Sequence, residues 1–557
     1  MEKRAMFYRR NHGGRFTVFA FLVLGALALP AAAKNKWLYA RTEHFEVLSN
    51  AKAVEARLLV ARLERFRASF LAIMPGTPFR EPRTTVVIFD SDRDFLPYKP
   101  LYKGKPQEDI AGVFQGNPDE VVIALSAQRD IDETIPVVYH EYIHLLMHAR
   151  GFRLPPWLNE GLAELYETME FEGNVVKIGR DSPYHVGLLS RSRLMPLAQL
   201  FAVSQISPDY NETNRRSIFY AESWALLHYC LTARVKGRQV GEGFDRLLTL
   251  MQLGYSPEEC MQAAYGLGLD DMEEELGAHI RGGRYVLKNY TLPAVDYAAG
   301  VVFRPATDFE REVALVNLQW HIQRKGDATY RLLELAEHYP TSPRPHEVLA
   351  AIAASEGERK RAIDCWTTAA GLQTSNPYVY AKLAEDSLRQ YLAGANLNFR
   401  LSEAATKELR GWLDRAIVLD PGYAEAWDWL ALTEAYAQKP RQSMVTQLLA
   451  QRQIFGNRPR LLAGFAVIAL RINNTDFAEN LADALLAMPS VMRVPDRRRT
   501  ISSLAVGLSG GNAMSWALQP EYYPDVRAIA KAVKNRVKPN PAGDDDSAPV
   551  EFELSGY

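Results

Sequence analysis

The pattern of apolar and polar positions changes period several times along the chain. His44-Phe45-Glu46-Val47-Leu48 alternates, as a strand does when one of its faces is buried. Through residues 51–74, Leu58, Leu59, Ala61, Leu63, Phe66, Phe70 and Leu71 recur at helical spacing and form one apolar stripe. Residues 84–89 are β-branched and apolar and read as a buried strand. Two further apolar runs, 111–114 and 120–125, flank Gln115-Gly116-Asn117-Pro118-Asp119. Gly, Asn, Pro and Asp supply turn conformations, so this stretch predicts a hairpin. Beyond about residue 130 helical periodicity prevails. Residues 134–149 predict one such helix. Pro136 is expected in its first turn, where a missing N–H costs nothing, and Gly151 just past its end as a cap.

The period changes again after a linker expected between Pro293 and Pro305. Ser342-Pro343, Asn376-Pro377, Asp420-Pro421 and Arg458-Pro459 follow one another at intervals of 34, 44 and 38 residues, with an apparent insertion around residues 391–395. Paired amphipathic helices fill the intervals. The run Ala416-Ile417-Val418-Leu419-Asp420-Pro421-Gly422-Tyr423-Ala424-Glu425-Ala426-Trp427 resembles a tetratricopeptide repeat junction. A 34-residue period of helix pairs is the signature of that repeat. The resemblance implies about five units within residues 306–490, some degenerate, stacked to leave a concave binding face. A helical extension is expected over residues 491–534. Residues 535–557, with Pro, Gly and the run Asp544-Asp545-Asp546, read as a disordered tail.

Composition narrows the class. A length of 557 residues suggests at least two domains, and 47% hydrophobic with 24% charged residues is the mix of folded globular protein. Lys plus Arg (65) nearly balance Asp plus Glu (66), which excludes a strongly basic nucleic-acid binder, and Arg497-Arg498-Arg499 reads as a solvated face. Three cysteines, Cys230, Cys260 and Cys365, cannot build a disulfide framework or a Cys-rich zinc module.

The first residues change the charge picture. Lys3, Arg4, Arg9, Arg10 and Arg15 precede an apolar run from Phe16 to Leu29, then Pro30 and Ala31-Ala32-Ala33. A basic start, a short apolar stretch and a small-residue site describe a secretory signal peptide over residues 1–33, cut after Ala33. The expected location is periplasmic or secreted. The mature chain then carries a formal charge of -5 rather than -1, and no other stretch is long and apolar enough for a transmembrane span.

Candidate chemistry centres on His140-Glu141-Tyr142-Ile143-His144. On a helix, positions i and i+4 share a face, so both imidazoles can point at one metal ion while Glu141 reaches an activated water. Catalytic zinc takes three protein ligands. A second segment, Trp157-Leu158-Asn159-Glu160-Gly161-Leu162-Ala163-Glu164, follows Pro155-Pro156, with 15 residues between His144 and Glu160.

Together these two segments resemble the gluzincin zinc metallopeptidases (peptidase MA-like), and the W-L-N-E-G-x-A match is closest to the aminopeptidase branch. The spacing here is somewhat shorter than in that branch. The resemblance implies zinc bound by His140, His144 and Glu160, with Glu141 as general base. Glu164, four residues after Glu160, is expected to hydrogen-bond the outer nitrogen of a ligand histidine. Gly161 and Ala163 are small and are expected to let the two zinc-binding helices approach closely. His148 would lie about 12 Å along the helix from His140, too far for the same ion, and is expected to be a packed or surface histidine. Ile218-Phe219-Tyr220-Ala221-Glu222 matches the family segment whose tyrosine steadies the oxyanion, which implies that role for Tyr220. Family members bind substrate backbone along the hairpin's edge strand, and the aminopeptidases place there a glutamate for the substrate's amino terminus. Here the strand end carries Gln115, and Asp119 and Glu120 fall beyond the turn, which points to an endopeptidase.

The expected fold class is α+β: a gluzincin-type domain over residues 34–292, with a small mixed sheet plus helices, followed by an α-helical repeat array. The expected function is an exported zinc-dependent peptidase. It would act on a protein or peptide substrate, with the repeats recruiting that substrate or a partner and no nucleic acid involved. The alternative is a non-catalytic peptidase-fold scaffold whose repeats organise an envelope assembly. A scaffold has no physical use for Glu141, which is not a ligand.

Overall fold

The computed structural model describes residues 37–74, 80–102, 104–108, 110, 112–129, 131–150, 154–204, 207, 217–232, 234–235, 238–239, 242–252, 255–322, 325–455, 458–487 and 524–537. The segments read as signal peptide and all but three residues of the tail lie outside them, as does Gly151. Among the described residues the fold is α+β, a small mixed sheet with many helices.

The strands of the main sheet are β1 (Leu38–Arg41), β2 (Phe45–Ser49), β3 (Arg83–Phe89), β4 (Gly112–Gly116) and β5 (Glu120–Ser126). Three more, β6 (Glu170–Glu172), β7 (Val175–Ile178) and β8 (Lys288–Thr291), form a separate antiparallel sheet. The last, β9 (Arg304–Pro305), returns to the main sheet, whose order is β9-β1-β2-β3-β5-β4. Strands β2, β3 and β5 are parallel, with Phe45 opposite Thr84 and Arg83 opposite Glu120. β4 and β5 form the predicted hairpin, with Gly112 opposite Leu125, and β4 is the sheet edge.

Side chains of a strand alternate between its faces, so β3 and β5 present two apolar surfaces. Val86, Ile88, Val121 and Ile123 face helices α1 (Ala53–Ile73) and α2 (Ile131–Ala149), where Phe66 stacks on Tyr139 at 3.7 Å between ring centroids. Helices α3 (Pro156–Tyr166), α4 (Pro183–Leu189), α5 (Ile218–Thr232) and α6 (Leu269–Gly282) add to that core, as do Leu200, Leu247 and Met261. Val87, Phe89, Val122 and Ala124 face the other way, against Leu315, Leu318 and Ile322 at helix α7 (Asp308–His321) and the residue after it.

Two expectations change here. The stretch expected as a linker contributes β9, whose Pro305 pairs with Leu38. The helix after it, α7, closes the second face of the sheet, because that face is too apolar to leave in water. Helix α2 also starts three residues earlier than expected, at Ile131, so Pro136 lies inside the helix rather than in its first turn. A proline there removes one backbone hydrogen bond of the helix.

From α7 onward the helices run in consecutive pairs: α7 with α8 (Lys325–His338), α9 (Arg344–Ser355) with α10 (Arg359–Gly371), and α11 (Pro377–Leu392) with α12 (Glu403–Leu419). Then come α13 (Ala424–Tyr436) with α14 (Gln442–Phe455), and α15 (Pro459–Arg471) with α16 (Thr475–Ala487). A last helix, α17 (Pro524–Val537), packs on α15 and α16. Asn376 caps α11 through its side chain, and the apparent insertion becomes the loop after α11, where Gly394 turns at φ +73°. None of the helices among the described residues is long and apolar enough to cross a membrane.

A buried polar network joins the β4–β5 turn to these pairs. Arg80 donates to Asp119 at 2.8 Å, and Asn376 donates to both Asp119 carboxylate oxygens at 2.9 Å. The Arg80 guanidinium lies over the rings of Tyr378 (5.4 Å) and Tyr423 (5.2 Å). Glu120 pairs with Arg344, and Glu347 accepts from Arg83 at 2.8 Å and from Thr374. Burial pushes the Glu347 carboxyl up, but Arg83 and Arg344 outweigh it and hold it below the usual carboxylate range. Removing one partner of a buried network strands the others, at about 3–5 kcal/mol. Glu347→Ala is therefore expected to cost about that much in urea denaturation. Lys52→Ala, which breaks the exposed Lys52–Glu55 pair, should leave the midpoint where it was. Equal midpoints for the two variants would show that the network does not hold the fold together.

Candidate metal centre

Helix α2 places His140 and His144 one turn apart, and α3 brings Glu160 to them. The Glu160 Oε2 atom lies 3.3 Å from His140 Nε2 and 3.5 Å from His144 Nε2. The two imidazole rings are 4.8 Å apart and nearly perpendicular. All three side chains are buried, and their ligating atoms lie within 4.8 Å of one another. Burial alone would raise the Glu160 carboxyl. The charges of His144 and His140, and their hydrogen bonds, override it and hold Glu160 well below the usual carboxylate range. Glu141, beside these groups on α2, is buried as well.

The outer contacts differ from expectation. Glu164 directs Oε2 to His185 Nε2 on α4 at 2.8 Å, and its Oε1 stays 3.8 Å from His140 Nδ1. The oxygen within hydrogen-bond distance of His140 Nδ1 is Glu167 Oε2, at 2.9 Å. Glu160, Glu164 and Glu167 fall at i, i+4 and i+7, one stripe along α3. His185 draws Glu164 away, and the next acid on the stripe takes the imidazole. The i+7 spacing was the available signal for Glu167. His185 carries no local signal, since only the fold brings α4 against α3. Burial works against a charged His185, but Glu164 outweighs it and pushes its pKa up.

Gly161 also acts differently. A Cβ at Gly161 would meet the Ser223 carbonyl oxygen at 2.7 Å and Leu227 Cδ1 at 2.8 Å, both on α5. The missing side chain therefore brings α3 against α5 rather than against α2. Tyr220 lies buried in the first turn of that same α5, edge-to-face with Phe219. His148 is half-buried near the end of α2. Among the described residues the groups able to hold a metal are His140–His144–Glu160 and His140–Glu164–Glu167, and His148 is in neither.

The donor set is two imidazole nitrogens and a carboxylate oxygen, converging in a buried place where a second and third carboxylate stand just behind. That combination suits a borderline divalent cation such as zinc. Several carboxylates share this buried place, and a divalent ion would offset their charge. No protein-family model matches the chain, and no curated protein matches it.

Two outcomes follow. Partners of ligand histidines commonly set metal affinity by about 10- to 100-fold. Glu167→Gln should weaken zinc binding to the metal-free protein within that range in a chelator competition, and Glu164→Gln should weaken it less. The reverse order would return the orienting role to Glu164.

The second outcome concerns Glu222, two residues after Tyr220. Burial, aided by nearby Glu273, raises its carboxyl to about 7, although the Met195 N–H donated to it at 2.8 Å opposes this. The folded state thus holds this proton more tightly than the unfolded chain does. Stability is full below the unfolded value near 4.5 and is lost as pH rises toward 7. Glu222→Gln should flatten that slope in denaturation curves taken across this range. An unchanged slope would assign it to other groups.

Proposed function

We propose that this protein is an exported zinc-dependent peptidase that cuts within polypeptide chains. The observation that carries this reading is the convergence of His140, His144 and Glu160 with Glu141 alongside. In this reading the three residues hold zinc. Bound zinc supplies Lewis acidity, which makes water a nucleophile near neutral pH and polarises a carbonyl. Glu141 takes the proton of the attacking water and passes it to the leaving amine. Glu167 holds His140 in one tautomer and one orientation, with Nε2 toward Glu160, where it would bind the metal. Tyr220 is the donor for the negative charge that develops on the carbonyl oxygen. Gly161 supports this role, because it seats the Tyr220 helix directly on the Glu160 helix.

The gluzincin kinship stands on the two sequence motifs. Among the described residues β4 is the last strand of the sheet, an edge where an extended substrate can add as a further strand. Cleavage inside chains, rather than from the amino terminus, is favoured by the fate of the nearby acids. Asp119 is engaged by Arg80 and Asn376, and Glu120 by Arg344, so neither is left to hold a substrate ammonium. Gln115, at the strand end, is neutral. The helix pairs, read as a tetratricopeptide-like array, recruit a protein substrate or partner. Their attachment to the β4–β5 turn gives them a defined place beside the substrate edge.

The test is metal analysis of the purified mature chain beside Glu141→Gln, with an unfolded protein as substrate. Wild type should bind one zinc and cleave internally. The variant should keep its zinc and lose about 10²- to 10⁴-fold in rate. Absence of bound zinc, or equal cleavage by the variant, would sink the mechanism.

A further inference from the structure

A cavity of about 500 Å³ opens beside the first turns of α2. Its apolar walls include Leu58, Leu59, Leu125, Ile135, Val295 and Ala298, and none of the metal-site residues lines it. The cavity is open to solvent on one side, and its volume lies in the range of small-molecule sites. Leu58 (55% exposed) and Val295 (57% exposed) stand open to solvent, although both belong to the apolar lining. An apolar body seated there would cover them.

The charges around the cavity favour one kind of head group. Arg65, half-buried on its wall, donates to the Gly173 carbonyl and lies 4.3 Å over the Phe171 ring. Among the described residues it has no carboxylate partner. Two acids lie on the wall among the described residues, and both have partners. Glu55 pairs with Lys52 at 2.9 Å, and Asp296 accepts from the N–H groups of Ala298 (3.1 Å) and Ala299 (3.2 Å) in its own turn. Arg62 and Arg129 add positive charge to the same wall, with Arg129 held by Asp92 at 2.8 Å. Arg65 is thus a cation on the cavity wall with no carboxylate paired to it among the described residues.

We propose that this cavity binds an aliphatic monocarboxylate, its chain against Leu58, Leu125 and Ile135 and its carboxylate on Arg65. A planar guanidinium matches a carboxylate through two parallel, charge-assisted hydrogen bonds. The proposal is independent of the peptidase reading, since it uses none of the same residues.

Calorimetric titration of the mature chain with octanoate, beside octanol as the neutral analogue of equal chain length, tests it. Octanoate should bind at least about tenfold more tightly than octanol, as expected for a hydrogen bond between charged partners. Arg65→Met should bring octanoate down to the level of octanol. Leu58→Glu, at a solvent-exposed position, should weaken octanoate by repulsion while leaving the unfolding midpoint unchanged. Ala61→Trp should block both probes by filling the cavity. Equal binding of octanoate and octanol to wild type would overturn the head-group assignment. No octanoate binding at millimolar concentration, or binding unchanged in Arg65→Met, would overturn the site.

Discussion

The central parallel strands satisfy their backbone groups along the sheet, and their side chains leave β3 and β5 as two apolar faces that must both be covered. Helices α1 and α2 cover one face. Because α2 lies there, its buried side holds Tyr139 and Tyr142 against the sheet core, and its other side carries His140 and His144 toward α3. The second face falls to α7, the first helix of the paired array. One requirement, double burial of a few β-branched strands, therefore positions the helix that carries His140 and His144 and anchors the helix pairs.

Polar groups then refine what apolar burial has placed. Around the candidate metal centre, Glu160, Glu164 and Glu167, carboxylates that would be costly alone, are set against imidazoles. At the other end of β5, Asp119 and Glu120 are buried against Arg80, Asn376 and Arg344. Such pairs add little net stability compared with apolar packing, but they are strict about geometry. A carboxylate stranded by a small shift costs several kcal/mol, roughly 3–5, so the network selects one docking of the helix pairs on the sheet. The array is thus held next to the β4–β5 hairpin through Asp119 and Glu120.

Much of this could be read along the chain. The strand at Phe45, the buried strand after Arg83, the hairpin around Asn117 and the long helix α1 follow from periods of two and 3.6 and from turn residues. The shared face of His140 and His144 follows from helical spacing, whereas Glu160 was expected beside them only through the resemblance of its segment, and the three do lie together. The pairing of helices after Asp308 follows from the recurring proline junctions. Other features were invisible because they depend on where distant segments meet. Arg304 and Pro305 have nothing strand-like in sequence, yet they pair with β1 because the edge is open there. Glu164 and Glu167 are chemically alike, and only the arrival of His185 decides which of them faces His140.

Local pattern thus determined the elements, the α+β class and the types of residue gathered around the candidate metal. Such information resides in side-chain periodicity and turn chemistry within a few residues. Tertiary structure alone decided that Gly161 serves α5, that Glu167 orients His140, and that α7 belongs to the sheet's core. It also decided that Arg65 lies on the wall of a cavity with Leu125 and Ile135. In each case the deciding neighbour lies tens to hundreds of residues away. Hydrogen bonds and packing act over a few ångströms of space, whatever the separation along the chain.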